Sequence, residues 1–231
     1  MTHMKDYIFV HIPKTGGRSI LLKLNGSLDM INHSTLEDYI INSSESEVRQ
    51  KFKFTTVRNP FSRVVSLWEM YMFYFYMPRP ENYVLGFEEW IRAKKNNVRN
   101  MDDSYQTQID QMYYCKSGPY NIPIDKFLKF ENLQKDFDSI AGKLNIVDTK
   151  LEHIGEFDKP KTEENAKKVI ESKLYQCMEC CVLTNEDKNK IMERLPKMVV
   201  GNYRDAYESQ ESIDIVANMS REMINRFNYH F

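Results

Sequence analysis

The chain lacks any run of about 18 apolar residues, the length a helix needs to cross a bilayer, so no membrane span is expected. It is also poor in cysteine. Cys115, Cys177, Cys180 and Cys181 are too few and too clustered for a disulfide framework, and a reducing cytoplasm is the expected setting. The residues ahead of Tyr7 lack the basic-then-apolar profile of a secretory signal. Neither sign of charge is in excess: 32 basic residues stand against 33 acidic ones, a balance unlike that of a nucleic-acid coating protein. A small polyanion is a different matter, because local placement of Lys and Arg decides its binding. The Gly-x4-Gly-Lys-Ser/Thr spacing of ordinary ATP- or GTP-driven chemistry is absent, as are internal repeats and low-complexity tracts.

What is present reads as one globular domain over residues 1–231. Hydrophobic residues make up 42% of the chain, enough for a sizeable core. Tyr7 to Ile12, Phe52 to Val57 and Lys126 to Phe130 are strand-like runs. Between them lie helical stretches: Ser19 to Gly26, a short helix from Ser34 with Glu37 at capping-box spacing, and Asn59-Pro60 opening a helix to about Met77. Further helices are expected over Phe87 to Lys95, Tyr105 to Tyr114, Asn132 to Leu144 and Ser212 to Phe227. Residues 156–200 are rich in Lys and Glu and read as a helical insertion, with helices over Glu163 to Tyr175 and Asn185 to Arg194. Strands alternating with helices predict an α/β domain with a mostly parallel sheet.

Two segments carry the chemistry. Pro13-Lys14-Thr15-Gly16-Gly17-Arg18-Ser19 joins a strand to a helix through a glycine pair. Glycines admit positive φ, and N–H groups at a helix start form an anion nest. Thr15 and Ser19 offer hydroxyls, and Lys14 and Arg18 offer charge. At the end of the second strand, Arg58 supplies a fork for a phosphate, and Ser66, within the following helix, adds a donor. In an open parallel sheet such strand ends converge on one crevice, and two anion sites there suit a nucleotide phosphorylated at both ends.

These residues resemble the sulfotransferase superfamily, particularly its carbohydrate-type and bacterial members. His11-Ile12-Pro13-Lys14-Thr15-Gly16-Gly17-Arg18-Ser19 is similar to the family's 5′-phosphosulfate loop, and Phe54 through Ser66 resembles its 3′-phosphate segment. His33-Ser34-Thr35-Leu36, Lys129-Phe130-Glu131-Asn132-Leu133, Asn202 to Tyr207 and Phe227 to Phe231 also fit. The resemblance implies a three-layer α/β/α sandwich with a P-loop-like strand-loop-helix. It implies 3′-phosphoadenosine 5′-phosphosulfate (PAPS) as donor, 3′-phosphoadenosine 5′-phosphate (PAP) as product, and a hydroxyl acceptor that is a small molecule or a glycan. Lys14 to Ser19 would hold the phosphosulfate, Arg58 and Ser66 the 3′-phosphate, and Arg204 would approach the nucleotide. Lys14 would stabilise charge on the leaving oxygen, and His33 would take the acceptor's proton. Gln108 would touch acceptor or donor. No metal is required.

Alternatives remain open at this point. A P-loop-related nucleotide kinase would need a Walker-type Lys and a magnesium carboxylate. A catalytically silent nucleotide- or glycan-binding module would keep the fold without the transfer. Trp68 to Met77 is apolar nearly all round, which suits a buried helix, with an acceptor groove or a homo-oligomer interface as the sharper reading. Cys177, Cys180 and Cys181 have Cys-x-x-Cys spacing without the second pair usual for zinc, and read as reduced thiols.

Overall fold

The computed structural model describes residues 6–28, 32–70, 86–95, 109–153 and 201–231, with residues 164, 165, 168, 186, 189 and 193 besides. Within these the chain is α/β. Strands β1 (Tyr7–Val10), β2 (Phe52–Val57) and β3 (Lys126–Lys129) form a parallel sheet in that order. Val10 pairs with Thr55 and Val57 with Lys129, so all three strands end on one edge. Whatever follows each strand, residues 11–16, 58–59 and 130–132, is delivered there.

Period-two alternation gives each face of the sheet its own apolar cluster. Ile8, Val10 and Val57 join Ile12, Leu36, Tyr114 and Met223 on one side. Phe9, Phe54 and Leu128 join Ile20, Phe137 and Leu144 on the other. The chain divides into two compact units, and the sheet belongs to the first: Met1–Arg63, Ser104–Gly155 and Ser220–His230.

The helices follow from local chemistry. Helix α1 (Gly17–Asn25) ends at Gly26, whose φ of 72° lets its N–H reach Leu22 O. Helix α2 (Leu36–Asn42) is capped one residue later than the sequence spacing suggested: Thr35 Oγ1 accepts from Asp38 N–H, and the Asp38 carboxylate accepts from Thr35 N–H. Ser34/Glu37 and Thr35/Asp38 satisfy the same spacing, and the second pair is the one used. A helix not anticipated, α3 (Glu45–Gln50), starts at Ser44, which accepts from Glu47 N–H. Helix α4 (Pro60–Met70) starts where Asn59 and Pro60 place it, with Asn59 Oδ1 accepting from Phe61 N–H. The expected continuation of this helix to Met77 lies outside the described residues.

Beyond Gly86 come α5 (Phe87–Lys95), α6 (Met112–Cys115) and α7 (Leu133–Asp138). A turn of 3-10 helix, Ala141–Leu144, stops at Asn145 with φ 55°. The expected helix over Ser212 to Phe227 is two, α8 (Gln210–Met219) and α9 (Arg221–Phe227), parted at Ser220. The second unit comprises Val64–Asp103, Glu156–Met219 and Phe231. There α5 packs on α8, with Arg92 bonded to Glu211 at 2.9 Å. Glu164, Asn165, Lys168, Glu186, Asn189 and Glu193 are helical, as the reading of residues 156–200 expected at these positions. No helix among the described residues is long and apolar enough to cross a membrane.

Candidate active site

The turn after β1 is shaped by two glycines with different reasons to be glycine. Gly16 has φ 83°, and a Cβ on it would lie 2.8 Å from Leu133 Cδ2 and 2.9 Å from Phe130 Cδ2. Gly17 lacks a positive φ, but a Cβ there would fall into the His11 imidazole. Lys14 is also left-handed, at φ 65°, a conformation that strains any residue with a Cβ. Thr15 is fully buried and donates to Ile12 O at 2.7 Å, so the 2.6 Å contact between the two hydroxyls has Thr56 donating to Thr15. Helix α1 then begins with no side-chain cap and no acidic residue in its first turn. That end carries the positive pole of the helix dipole.

Arginines hold the turn from its carbonyl side. Arg63 is fully buried and donates to Pro13 O at 2.8 Å and to Ile109 O at 2.9 Å. Burial pulls its pKa down to about 10, with Arg58 adding to the effect and Tyr114 and Asp110 opposing it, so the charge persists at neutral pH. Arg58 donates from Nη1 to Lys14 O at 3.3 Å and from Nε to Ser62 Oγ at 3.0 Å, and its guanidinium lies 4.5 Å above the Phe130 ring. Its own backbone is fixed by buried Gln111, which accepts from Arg58 N–H and donates to Arg58 O. Gln111, Arg63 and Phe130 went unassigned in the sequence reading. Arg63 sits inside the matching segment, whereas Gln111 and Phe130 reach Arg58 only through the fold.

His33 meets the strand end from another direction. Its Nδ1 lies 3.1 Å from His11 O, and since a carbonyl only accepts, Nδ1 carries the proton. Nε2 is therefore the basic nitrogen. Burial lowers the His33 pKa below 6.5; the bond to His11 O opposes this and Arg63 reinforces it. The ring is neutral at pH 7. His11 is more deeply buried, and burial, His33 and Arg18 bring its pKa down to about 3.

The closing segment ties into the same edge. Glu131 accepts from Asn59 N–H at 2.6 Å and from Tyr229 OH at 3.0 Å, while Asn59 Nδ2 donates to His230 O. Of the other predicted site residues, Ser19 is buried on α1. Ser66 is buried on the part of α4 that belongs to the second unit. Arg204, also of the second unit, is exposed in a 3-10 turn, its Nε donating to Tyr203 OH and its guanidinium 5.6 Å from the Tyr203 and Phe231 rings. Gln108, Cys177, Cys180 and Cys181 lie outside the described residues. Among the described residues no group of three or more His, Cys, Asp or Glu side chains is placed to hold a metal ion.

The parallel sheet thus delivers an uncapped helix start and an arginine fork to one edge, where the neutral imidazole of His33 meets the end of β1. The Sulfotransferase family model matches residues 2–209, most of the chain, and the protein belongs to that family. Sulfuryl transfer is the general chemistry that membership brings. No curated protein and no solved structure matches in the corresponding comparisons.

Proposed function

We propose that this protein transfers a sulfuryl group from PAPS to a hydroxyl, with a carbohydrate as the acceptor class. The observation that carries the reading is the shared strand end: the uncapped start of α1 and the basic nitrogen of His33 both depend on the exit of β1. The uncapped helix start and the glycine pair fit the phosphosulfate of PAPS, and the turn takes its P-loop-like role in a three-layer α/β/α domain.

When bound, the donor supplies a sulfuryl group activated by its anhydride link to phosphate. The chain's own residues do the rest. Backbone N–H groups at residues 16–18 hold the phosphosulfate oxygens, and Ser19, whose own N–H donates to Gly16 O, adds its hydroxyl. The Thr15 hydroxyl serves the turn by its bonds to Ile12 and Thr56. Lys14 neutralises charge that develops on the leaving oxygen, and Arg18 adds positive potential. His33 Nε2 accepts the proton of the acceptor hydroxyl as the new O–S bond forms. Arg58 accounts for the 3′-phosphate, and Ser66, Arg204 and Gln108 keep the roles that the family resemblance implies. No residue role here calls for a metal.

The test is transfer of radiolabelled sulfate from PAPS to glycans, lipids and small alcohols. Glycan labelling that disappears in Lys14→Ala and in His33→Ala, with both variants folded, supports the reading. Labelling that persists in His33→Ala moves the base elsewhere, and labelling confined to lipids or alcohols removes the carbohydrate assignment.

A further inference from the structure

His11 is an unusual occupant of its position. Phe9, Val10 and Ile12 around it are buried and apolar, and His11 itself is only 3% exposed. Its Nδ1 is buried without a hydrogen-bond partner. An apolar side chain would fill this space without that desolvated nitrogen. What distinguishes the ring is its company. Its Cδ2 and Nε2 edge fills the space a Cβ on Gly17 would take. Its centroid lies 4.4 Å from that of His33, and Phe9 stacks on it at 5.7 Å.

We propose that the His11 side chain is a positioning residue of the transfer site, setting how closely the first turn of α1 approaches the strand and shielding His33 from water. This rests on the sulfuryl-transfer reading above. A five-membered ring is narrower than a phenyl ring, so α1 settles nearer to β1 than phenylalanine at this position would allow. Among the described residues, the charged and titratable groups that act on the rings are Arg18 and His33 on His11, and Arg63 on His33. His11 stays neutral across the working range, so its part is steric and dielectric. It neither accepts nor donates the transferred proton.

A double-mutant cycle with a separate titration tests this. Wild type, His11→Ala, Gly17→Ala and the double variant are titrated with PAP by calorimetry. Without nucleotide, the His33 imidazole is titrated by NMR in wild type and in His11→Ala. Gly17→Ala is expected to lose at least about tenfold in affinity, because its methyl and the ring claim one space. The double variant should bind PAP more tightly than Gly17→Ala. The His33 midpoint should move up toward 6.5 once the ring at 11 is gone. A double variant no better than Gly17→Ala, or a His33 midpoint that stays put, overturns the proposal. If wild type fails to bind PAP, the donor reading falls, and the nucleotide-free titration still decides the part played by His11. Should His11→Ala not fold, His11→Val keeps a buried aliphatic side chain, removes the ring and carries the same readouts.

Discussion

The starts of α1 and α8 face the same physical problem and solve it in opposite ways. Both present backbone N–H groups at the positive end of a helix. Ahead of α8 the protein supplies its own anion: Glu88 accepts from the N–H groups of Glu208 and Ser209 and from Ser209 Oγ, which in turn accepts from Ser212 N–H. Burial by itself would raise the Glu88 pKa. The bonds from Ser212, Ser209 and the Glu208 and Ser209 N–H groups outweigh it, and the pKa is lowered. At α1 the cap is a glycine with no side chain, and arginines occupy the carbonyl side of the turn. A helix end furnished with a carboxylate is stabilised for its own sake. One whose cap carries no side chain suits the visiting anion of the sulfuryl-transfer reading.

The contrast is most sharply broken by giving α1 what α8 already has. Ser19→Asp brings a carboxylate to the first turn of α1 and should weaken PAP binding by about a thousandfold or more, since it repels the phosphate and competes for its donors. Calorimetry checks this, and a variant that binds PAP normally would show that the helix start is not the anion site.

Acid attacks the two ends for different reasons. The folded state holds the His11 pKa near 3 against an ordinary 6.5, so the unfolded chain takes up the proton first as pH falls. The contribution of this ring is constant above about 6.5 and declines from there toward about 3, a loss on the order of 3–5 kcal/mol. Depression of the His33 pKa acts in the same direction. Urea titrations across this range in wild type and His11→Val should give a shallower decline for the variant.

Arg58→Ala removes the fork and one of the two clamps on the turn, and PAP affinity should fall about a hundredfold. Arg58→Lys should recover little, because an ammonium cannot reproduce the paired geometry. Affinity for AMP should change far less, and calorimetry with both nucleotides separates the 3′-phosphate contribution.

The smallest effect belongs to α8. Glu88→Gln keeps an acceptor and loses the charge, and should cost about 1–2 kcal/mol of stability with PAP affinity unchanged. The lowered Glu88 pKa means this contribution is present above the ordinary value of 4.5 and disappears as pH falls through the folded-state value. Denaturation of wild type and variant should therefore converge in acid.

Much of the first unit was legible because its signals are local. The apolar run at Tyr7, the glycine pair, Gly26, Asn59-Pro60 and Asn145 each act within a few residues, and each marks an observed boundary. Two errors were also local in origin. Adjacent Ser34-Thr35 and Glu37-Asp38 made the cap ambiguous by one position, and continuous apolar spacing across Ser220 hid the break between α8 and α9. The rest was beyond a local reading. Arg63 meets Pro13 across fifty residues of sequence, Gln111 reaches Arg58 from a different segment, and Glu131 joins Asn59 to Tyr229. Nothing at those positions announces a partner, because parallel strands bring their ends together only once the crossovers are made.

The left-handed lysine at position 14 has a thermodynamic corollary. A free peptide of this sequence would rarely visit φ 65°, and the turn holds it through Arg58, Arg63 and the glycine contacts, all supplied by the assembled sheet. The shape of this turn is thus a property of the folded chain and absent from the unfolded one. If PAP binds there as proposed, it is by mass action a folding ligand, each tenfold excess over its Kd adding about 1.4 kcal/mol to the native state. Melting temperature in rising nucleotide would then report donor affinity with no acceptor present.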